Sequence, residues 1–315
     1  MTVSVVMTSY NGEKYIEKQL ASLRDQTYKP DEVIIADDRS KDGTFQLVSS
    51  FLEINRLNKW RVYQNKKNVG VILNFYTAMK MATGDFVFFS DQDDIWELSK
   101  VEEMINIISK RDEIMVLMSK ENRIDGDDKY IQYTDDETEE VRKIGLPEEI
   151  KECFGAGHLI VLRKSFMDRY ITELIDAKMT FDVPFCVIAA ATNGLFLYDK
   201  RLVRRRIHGN NTSGIKQNYM DRIKNYEKYI QGRRMRLGYF KFLLDNWDDI
   251  VNVENRNLYA DFNKAVMILE NSLRGLEQYK LKPLVRELLS HNVFLNKKIS
   301  VANIMAMIRS EVRKS

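Results

Sequence analysis

In the first 90 residues, four short apolar runs at 3–7, 32–36, 60–63 and 85–89 alternate with stretches whose apolar residues recur every three or four positions. Ile16, Leu20 and Leu23 mark the first stretch. Phe45, Val48, Phe51 and Leu52 mark the second, and Ile72, Phe75, Tyr76 and Met79 the third. The runs predict strands, because an extended segment covered on both faces reads as continuously apolar. The wider spacing predicts helices with one buried face. A helix between two strands returns the chain to the same end of the sheet, so successive strands pair in parallel. The expectation is an α/β protein built on a Rossmann-like, doubly wound, mostly parallel sheet.

Sheets of this kind bind ligands beyond the carboxyl ends of their strands. Three of the four runs end in polar turns: Thr8-Ser9-Tyr10-Asn11-Gly12, Asp37-Asp38-Arg39-Ser40 and Ser90-Asp91-Gln92-Asp93-Asp94-Ile95-Trp96. In the last of these, Asp91 and Asp93 are two apart, so in extended backbone they share a face and can approach one cation. Carboxylates suit Mg²⁺ or Mn²⁺, which take further ligands from substrate phosphates. Leu98, Val101, Ile105 and Ile108 then recur at helical spacing, with Asp94 placed to cap the first turn. A solvated turn with a capping aspartate is the competing reading. Tyr10 can lay its ring on a flat base, and Asp38 can accept the imide N–H of uracil or thymine. Both also fit ordinary turn chemistry. Gly70 either lets the backbone pass close to a ligand or starts a helix.

The remaining chain is less uniform. Residues 121–149 hold eleven acidic residues against four basic ones, which reads as a solvated, mobile excursion. Gly155 and Gly157 precede a strand at 159–162, where they suggest either close approach to a substrate or a bend. Asp182 opens an apolar helix at 183–191, as an N-cap or as a carboxylate placed to act as a base. Short strands are expected at 195–198 and 202–203. His208 follows, in a loop where it can bind a metal or a phosphate, although a lone loop histidine usually does neither. Residues 200–241 hold thirteen basic residues against two acidic ones. A basic helix near 226–244 can face anionic lipid headgroups or an anionic acceptor, or simply be a solvated face. Phe262, Val266, Leu269 and Leu273 mark an amphipathic helix suited to packing or to a homodimer contact.

A length of 315 residues suits one large domain or a core with an appendage. No apolar stretch is long enough to span a membrane, and the chain enters its first strand without a basic leader, which reads as no signal peptide. Cys153 and Cys186 fit a reduced, cytoplasmic protein, with one disulfide left open. The net charge of +3 gives no ground for a nucleic-acid partner.

Taken in order, Val5-Val6-Met7-Thr8-Ser9-Tyr10-Asn11-Gly12, Asp37-Asp38-x-Ser40, Asn68-x-Gly70, Ser90-Asp91-Gln92-Asp93-Asp94-Ile95-Trp96 and Arg206-x-His208-Gly209-x-Asn211 resemble the motifs of family 2 glycosyltransferases. The acidic motif and the His-Gly-Asn-Asn ending look most like those of bacterial rhamnosyltransferases of polysaccharide assembly. The resemblance covers about residues 1–214, leaving 215–315 as a C-terminal helical appendage. It implies a GT-A fold and inverting, metal-dependent transfer from a UDP- or dTDP-sugar, dTDP-rhamnose among them, to a glycan or lipid-linked oligosaccharide. The two cysteines fit work in the cytoplasm, and the basic helix leaves open peripheral contact at the inner face of the membrane.

Carried across residue by residue, the resemblance places the donor against Thr8, Ser9, Tyr10, Asn11, Asp38, Gly70, Asn74, Ser90 and Asp91. It gives the Mn²⁺ or Mg²⁺ to Asp91, Asp93 and His208, and the general base to Asp182. Two positions depart from the pattern: Arg39 stands where the family has Gly, and Phe181 where rhamnosyl-type members have His. The competing functions are a sugar-phosphate nucleotidyltransferase, which would want a Gly-rich, Arg-bearing loop after the first strand, and a catalytically silent sugar-nucleotide-binding subunit.

Overall fold

A computed structural model describes residues 1–135, 138–152, 155–209, 226–278 and 280–296. Asn211 of the last motif, Arg222 at the start of the expected basic helix, and Cys153 lie outside the described residues. The chain divides into two compact units, one made of Met1–Ile144, Gly155–Ala189 and Gly194–Gly209, the other of the described parts of 145–154, 190–193 and 210–315.

The first unit carries β1 Val3–Ser9, α1 Ile16–Arg24, β2 Glu32–Asp37, α2 Thr44–Ile54, β3 Trp60–Gln64, α3 Val71–Met79 and β4 Phe86–Ser90, the alternation expected from the apolar periods. β3, β2, β1 and β4 lie side by side in that order and pair in parallel. The chain moves outward from β1 to β3 and then returns to the other side of β1 for β4. The switch point is therefore the gap between the ends of β1 and β4, where the Tyr10 and Asp91 turns leave the sheet.

The other half of the sheet is mixed. It contains β5 Ile95–Trp96, β6 Val116–Ile124, β7 Tyr130–Gln132, β8 Val141–Lys143, β9 Ile160–Arg163 and β10 Leu195–Arg206; in chain order, helices α5 Leu146–Glu152, α6 Lys164–Asp176 and α7 Asp182–Ala191 fall between β8 and β10. The full path is β3-β2-β1-β4-β9-β6-β10-β5, with β7 on β6 and β8 on β10. β9 runs antiparallel to both β4 and β6, whereas β10 runs parallel to β6. The mostly parallel expectation thus holds for the first half and gives way to a mixed sheet beyond β4.

Three local expectations are corrected. The helix after the acidic turn, α4 Lys100–Ile108, begins after β5, and Leu98 is exposed. Asp94 does not cap it. That side chain is buried, and its Oδ1 accepts the Arg206 N–H at 3.0 Å. The acidic stretch 121–149 is not merely solvated: it completes β6 and supplies β7 and β8. The strands at 195–198 and 202–203 are one strand, β10, with register shifts around Arg201 that absorb the polar Asp199 and Lys200.

The core of this unit joins Val5, Ile16, Leu20, Phe88, Trp96 and Val101, all essentially inaccessible. Each such side chain contributes about 1.5–3 kcal/mol by leaving water. Cys186 is also buried. In the second unit, helices Tyr226–Asp245 and Tyr259–Glu277 are present as expected, with Phe262, Val266 and Leu273 buried. The basic helix uses its cations locally. Arg234 pairs with Glu277, Lys241 with Glu270 and Arg233 with Glu287, while Arg236 donates to the Ile150 and Lys151 carbonyls. Among the described residues, no helix is long and apolar enough to cross a membrane.

Candidate active site

The turns after β1 and β4 are locked together. Gln92 accepts the Tyr10 N–H at 2.9 Å and donates to the Tyr10 carbonyl at 3.1 Å, which leaves the Tyr10 ring 40% exposed at the switch point. Ser9 donates to Asp37 at 3.0 Å, and Asn11 accepts the Lys41 N–H at 2.9 Å. Ser90 is buried and receives Gln19 Nε2 at 2.7 Å. Asn74 is buried too, bridging Asn65 and the Ala36 carbonyl. Ser9, Ser90 and Asn74 shape the turn from behind, whereas Asn11 is exposed and Tyr10 presents a face to it.

Asp38 is 3% exposed and organises the next loop. Its Oδ1 accepts from Val69 N–H and Asn65 Nδ2 and its Oδ2 from Gly70 N–H, all at 2.8–2.9 Å. Since a carboxylate oxygen offers two lone pairs, Oδ2 keeps room for one more donor. Gly70 has φ +86° and ψ 154°, a region open to glycine alone, and a Cβ there would meet nothing within 4 Å. Its backbone is therefore both strained for any other residue and open to an approaching ligand. Gly70→Ala is expected to lower stability by about 1–3 kcal/mol through the backbone alone, measurable by urea unfolding. Arg39 also has positive φ, 64°, which is why glycine suits the position; its guanidinium donates to Gln64 at 3.0 Å.

The acidic turn splits into two clusters. Asp93 Oδ2 lies 2.7 Å from His208 Nε2, and the imidazole leans on the Tyr15 ring at 4.9 Å. Burial raises the Asp93 pKa, with Asp91 adding to it and His208 opposing. Asp91 instead faces His158, whose Nδ1 is 3.6 Å from Asp91 Oδ2 and whose Nε2 is 2.7 Å from Glu121 Oε2. Burial alone would lower the His158 pKa, but Asp94, Asp91 and Glu121 outweigh it and raise the value to about 10. Glu121 falls to about 2 against its own burial, held down by His158, Arg205 and Arg123. Lys100, fully buried, donates to the His158 carbonyl and stands 3.8 Å from the Trp96 ring. Burial pushes its pKa far down against the pull of Asp94 and Asp91.

Asp182, the first residue of α7 Asp182–Ala191, keeps some accessible surface, but its carboxyl lies among packed atoms and burial raises its pKa. Val183 N–H and Thr180 oppose the rise, while the charge of Asp91 adds to it. The two carboxylates therefore sense each other. The two glycines are explained by this helix start. A Cβ on Gly155 would come within 2.9 Å of Val183 Cα, and one on Gly157 within 2.9 Å of the Phe181 ring. Their close approach is to α7, where they fix the place of Asp182. Phe181 packs between Phe75 and Phe89 at 4.5 and 4.7 Å, as core.

Residues 4–171 match the sequence profile of Glycosyl transferase family 2. The chain belongs to this family. It is 35% identical over 108 residues to the UDP-Glc:alpha-D-GlcNAc-diphosphoundecaprenol beta-1,3-glucosyltransferase WfgD of Escherichia coli, a match covering 34% of this chain and 41% of that protein. Among solved structures it resembles S. aureus TarS 1–349 in complex with UDP-GlcNAc (TM-score 0.57, 20% identity, 100% of this chain and 93% of that one). It also resembles the mannosyltransferase PcManGT of Pyrobaculum calidifontis in complex with GDP-Man and Mn²⁺ (TM-score 0.56, 13% identity, 99% and 88%). The protein is a glycosyltransferase with a GT-A fold.

For this glycosyltransferase, the donor set can be tested against a cation. Adjacent ligands about 2.1 Å from an octahedral ion stand about 3 Å apart. Asp93 Oδ2 and His208 Nε2, 2.7 Å apart, fit that spacing. Asp91, Asp94 and His158 also bring ligand atoms within 4.8 Å of one another. In that cluster His158 is already paired, 3.6 Å from Asp91 and 2.7 Å from Glu121.

Sequence reasoning missed His158, Glu121, Lys100 and Arg206. His158 was visible only as part of Gly155-Ala156-Gly157-His158, and Glu121 was lost among surface acids. Nothing local marks Lys100 as buried. Arg206 stands in the last family motif without an assigned role, and it is fully buried.

Proposed function

We propose that the chain transfers a sugar from a UDP- or dTDP-sugar to a hydroxyl of a glycan or lipid-linked oligosaccharide, inverting the anomeric centre. The transfer chemistry lies within residues 1–214. The observation that carries this reading is the pairing of Asp93 with His208 at the switch point, with the Asp182 carboxyl close enough to feel the charge of Asp91.

Asp93 and His208 would hold Mn²⁺ or Mg²⁺, which would supply positive charge where the departing diphosphate becomes more negative. Tyr10 lies on the pyrimidine, Asp38 turns its remaining lone pair toward the base, and the open Gly70 backbone borders the same space. Asp182 removes the proton from the acceptor hydroxyl as that oxygen bonds to the anomeric carbon and the nucleoside diphosphate leaves from the opposite face. Its raised pKa makes it a stronger base than an ordinary aspartate. No covalent intermediate is needed, and no second carboxylate has to act as nucleophile. The UDP-Glc of WfgD and the UDP-GlcNAc of TarS support a uridine donor, and the diphosphoundecaprenol in the WfgD name supports a lipid-linked acceptor.

A thermal-shift screen of UDP- and dTDP-sugars with and without Mn²⁺ tests this directly. At a hundredfold excess over Kd the correct donor is expected to stabilise the fold by about 2.7 kcal/mol, only when Mn²⁺ is present, and not in Asp93→Ala. A shift that persists in a chelator, or in Asp93→Ala, contradicts the assignment.

A further inference from the structure

β7 and the residue after it, Tyr133, form a braced ribbon that exposes two tyrosines and an isoleucine. Tyr130, Ile131 and Tyr133 are 48, 59 and 61% exposed, and the two phenol rings stand edge to face at 5.0 Å and 65°. The ribbon is held at both ends. Asp125 Oδ1 accepts the Asp127 and Lys129 N–H groups across the turn, and Asn122 accepts the Thr134 N–H at 3.1 Å beyond the strand. Arg206 ties this turn to the acidic motif. It donates to the Asp125 carbonyl at 3.0 Å and the Asp93 carbonyl at 2.8 Å, and its guanidinium also pairs with Asp128.

The sheet register places the ribbon. β9 covers β6 at Val116–Met118, and β7 covers the same edge further along, at Arg123 and Ile124. β7 therefore continues the line of β9 past the carboxyl end of β4, on the side from which Asp91 and Asp93 project. Exposed apolar groups gathered on a rigid element mark a binding surface more than scattered ones do.

The surroundings select the occupant. Asp127, Asp135, Glu139 and Glu140 are all exposed on the same excursion. Their charge disfavours an anionic lipid surface or a phosphate group. It also disfavours a second copy pairing on the edge of β7, because that would bring like charges together. A neutral pyranose meets both conditions: its C–H face lies on an aromatic ring, and its rim of hydroxyls donates to carboxylates and to the Gln132 amide. We infer that Tyr130 and Tyr133 form a subsite for a neutral sugar of the acceptor, one removed from the hydroxyl that reacts. This rests on the transferase reading above.

The test uses the full chain and its Tyr130→Ser/Tyr133→Ser variant, with unchanged far-UV circular dichroism and Tm as the folding control. Saturation-transfer NMR is recorded with three neutral disaccharides, cellobiose, lactose and N,N′-diacetylchitobiose. At least one is expected to receive saturation at its ring C–H protons, and the double variant is expected to weaken its binding by about tenfold. Mn²⁺-dependent release of UDP from the donor in water stays unchanged. Absence of saturation transfer with all three sugars, or binding that survives the double substitution, overturns the subsite. So does conversion of a dimer to a monomer on substitution, seen by sedimentation, which assigns the strip to self-association. Loss of UDP release in the unaltered chain would instead contradict the transferase reading and is distinguishable from all three.

Discussion

Asp182→Asn is expected to leave the fold intact and to slow sugar transfer by roughly 10²–10⁴-fold, the usual contribution of a general base. Asparagine keeps the size of the side chain and one acceptor oxygen at the start of α7, where Asp182 Oδ1 accepts the Val183 N–H at 2.9 Å. It cannot take a proton. The loss should therefore fall on kcat, with the donor Kd little changed, since the proposed donor contacts, Tyr10, Asp38 and Gly70, lie in the turns after β1 and β2 and before α3. The unaltered enzyme should lose kcat as the pH falls, with an apparent pKa above the ordinary aspartate range, because burial and then Asp91 outweigh the groups that favour the charged form. Single-turnover transfer measured across pH in both proteins checks this. Equal rates, or a loss confined to KM, would leave Asp182 as a helix-start residue and no more.

The second large effect is on stability. Arg206→Leu is expected to destabilise the first unit by about 3 kcal/mol, the low end of the roughly 3–5 kcal/mol measured when one partner of a buried ion pair is removed. The low end applies because Asp128, its carboxylate partner, is 30% exposed and can recover water. The Asp93 and Asp125 carbonyls lose their donor, and the Tyr15 ring loses a guanidinium at 4.6 Å. Because Arg206 also positions the backbone of Asp93, metal affinity should fall along with stability. Urea unfolding and Mn²⁺ titration of the same variant measure the two effects. A change of less than about 1 kcal/mol would mean that the buried guanidinium is replaceable by packing.

Much of the first half was legible because its physics is local. Ile16, Leu20 and Leu23 bury one face of α1 because their spacing matches the helical turn, and no distant residue is needed to say so. The strand before Asp91 and the switch-point location follow from the same alternation. The second half was less legible because its order comes from pairing. β6 carries Ser119, Lys120, Glu121 and Asn122 in a strand because β10 supplies a partner along almost its whole length. Sequence composition alone reports those residues as polar surface.

The site divides in the same way. Asp91, Asp93 and His208 could be named from their motifs, but the structure places Asp93 with His208 and gives Asp91 to His158, a grouping set by β9 and β6 rather than by spacing. Asp94 reads as a cap from its position before a helical period. Its actual partner is the backbone of Arg206, 112 residues away. Ser9, Asn74 and Ser90 were assigned to the donor, and each makes its visible hydrogen bonds with the protein behind the turn.

The most direct measurement is the anomalous scattering of Mn²⁺ in a crystal grown with UDP and that ion. The peak is predicted between Asp93 Oδ2 and His208 Nε2, about 2 Å from each, with the diphosphate on its open side and Asp182 across the sugar site. A peak at the Asp91, Asp94 and His158 cluster, or a diphosphate bound away from Asp93, would contradict the account.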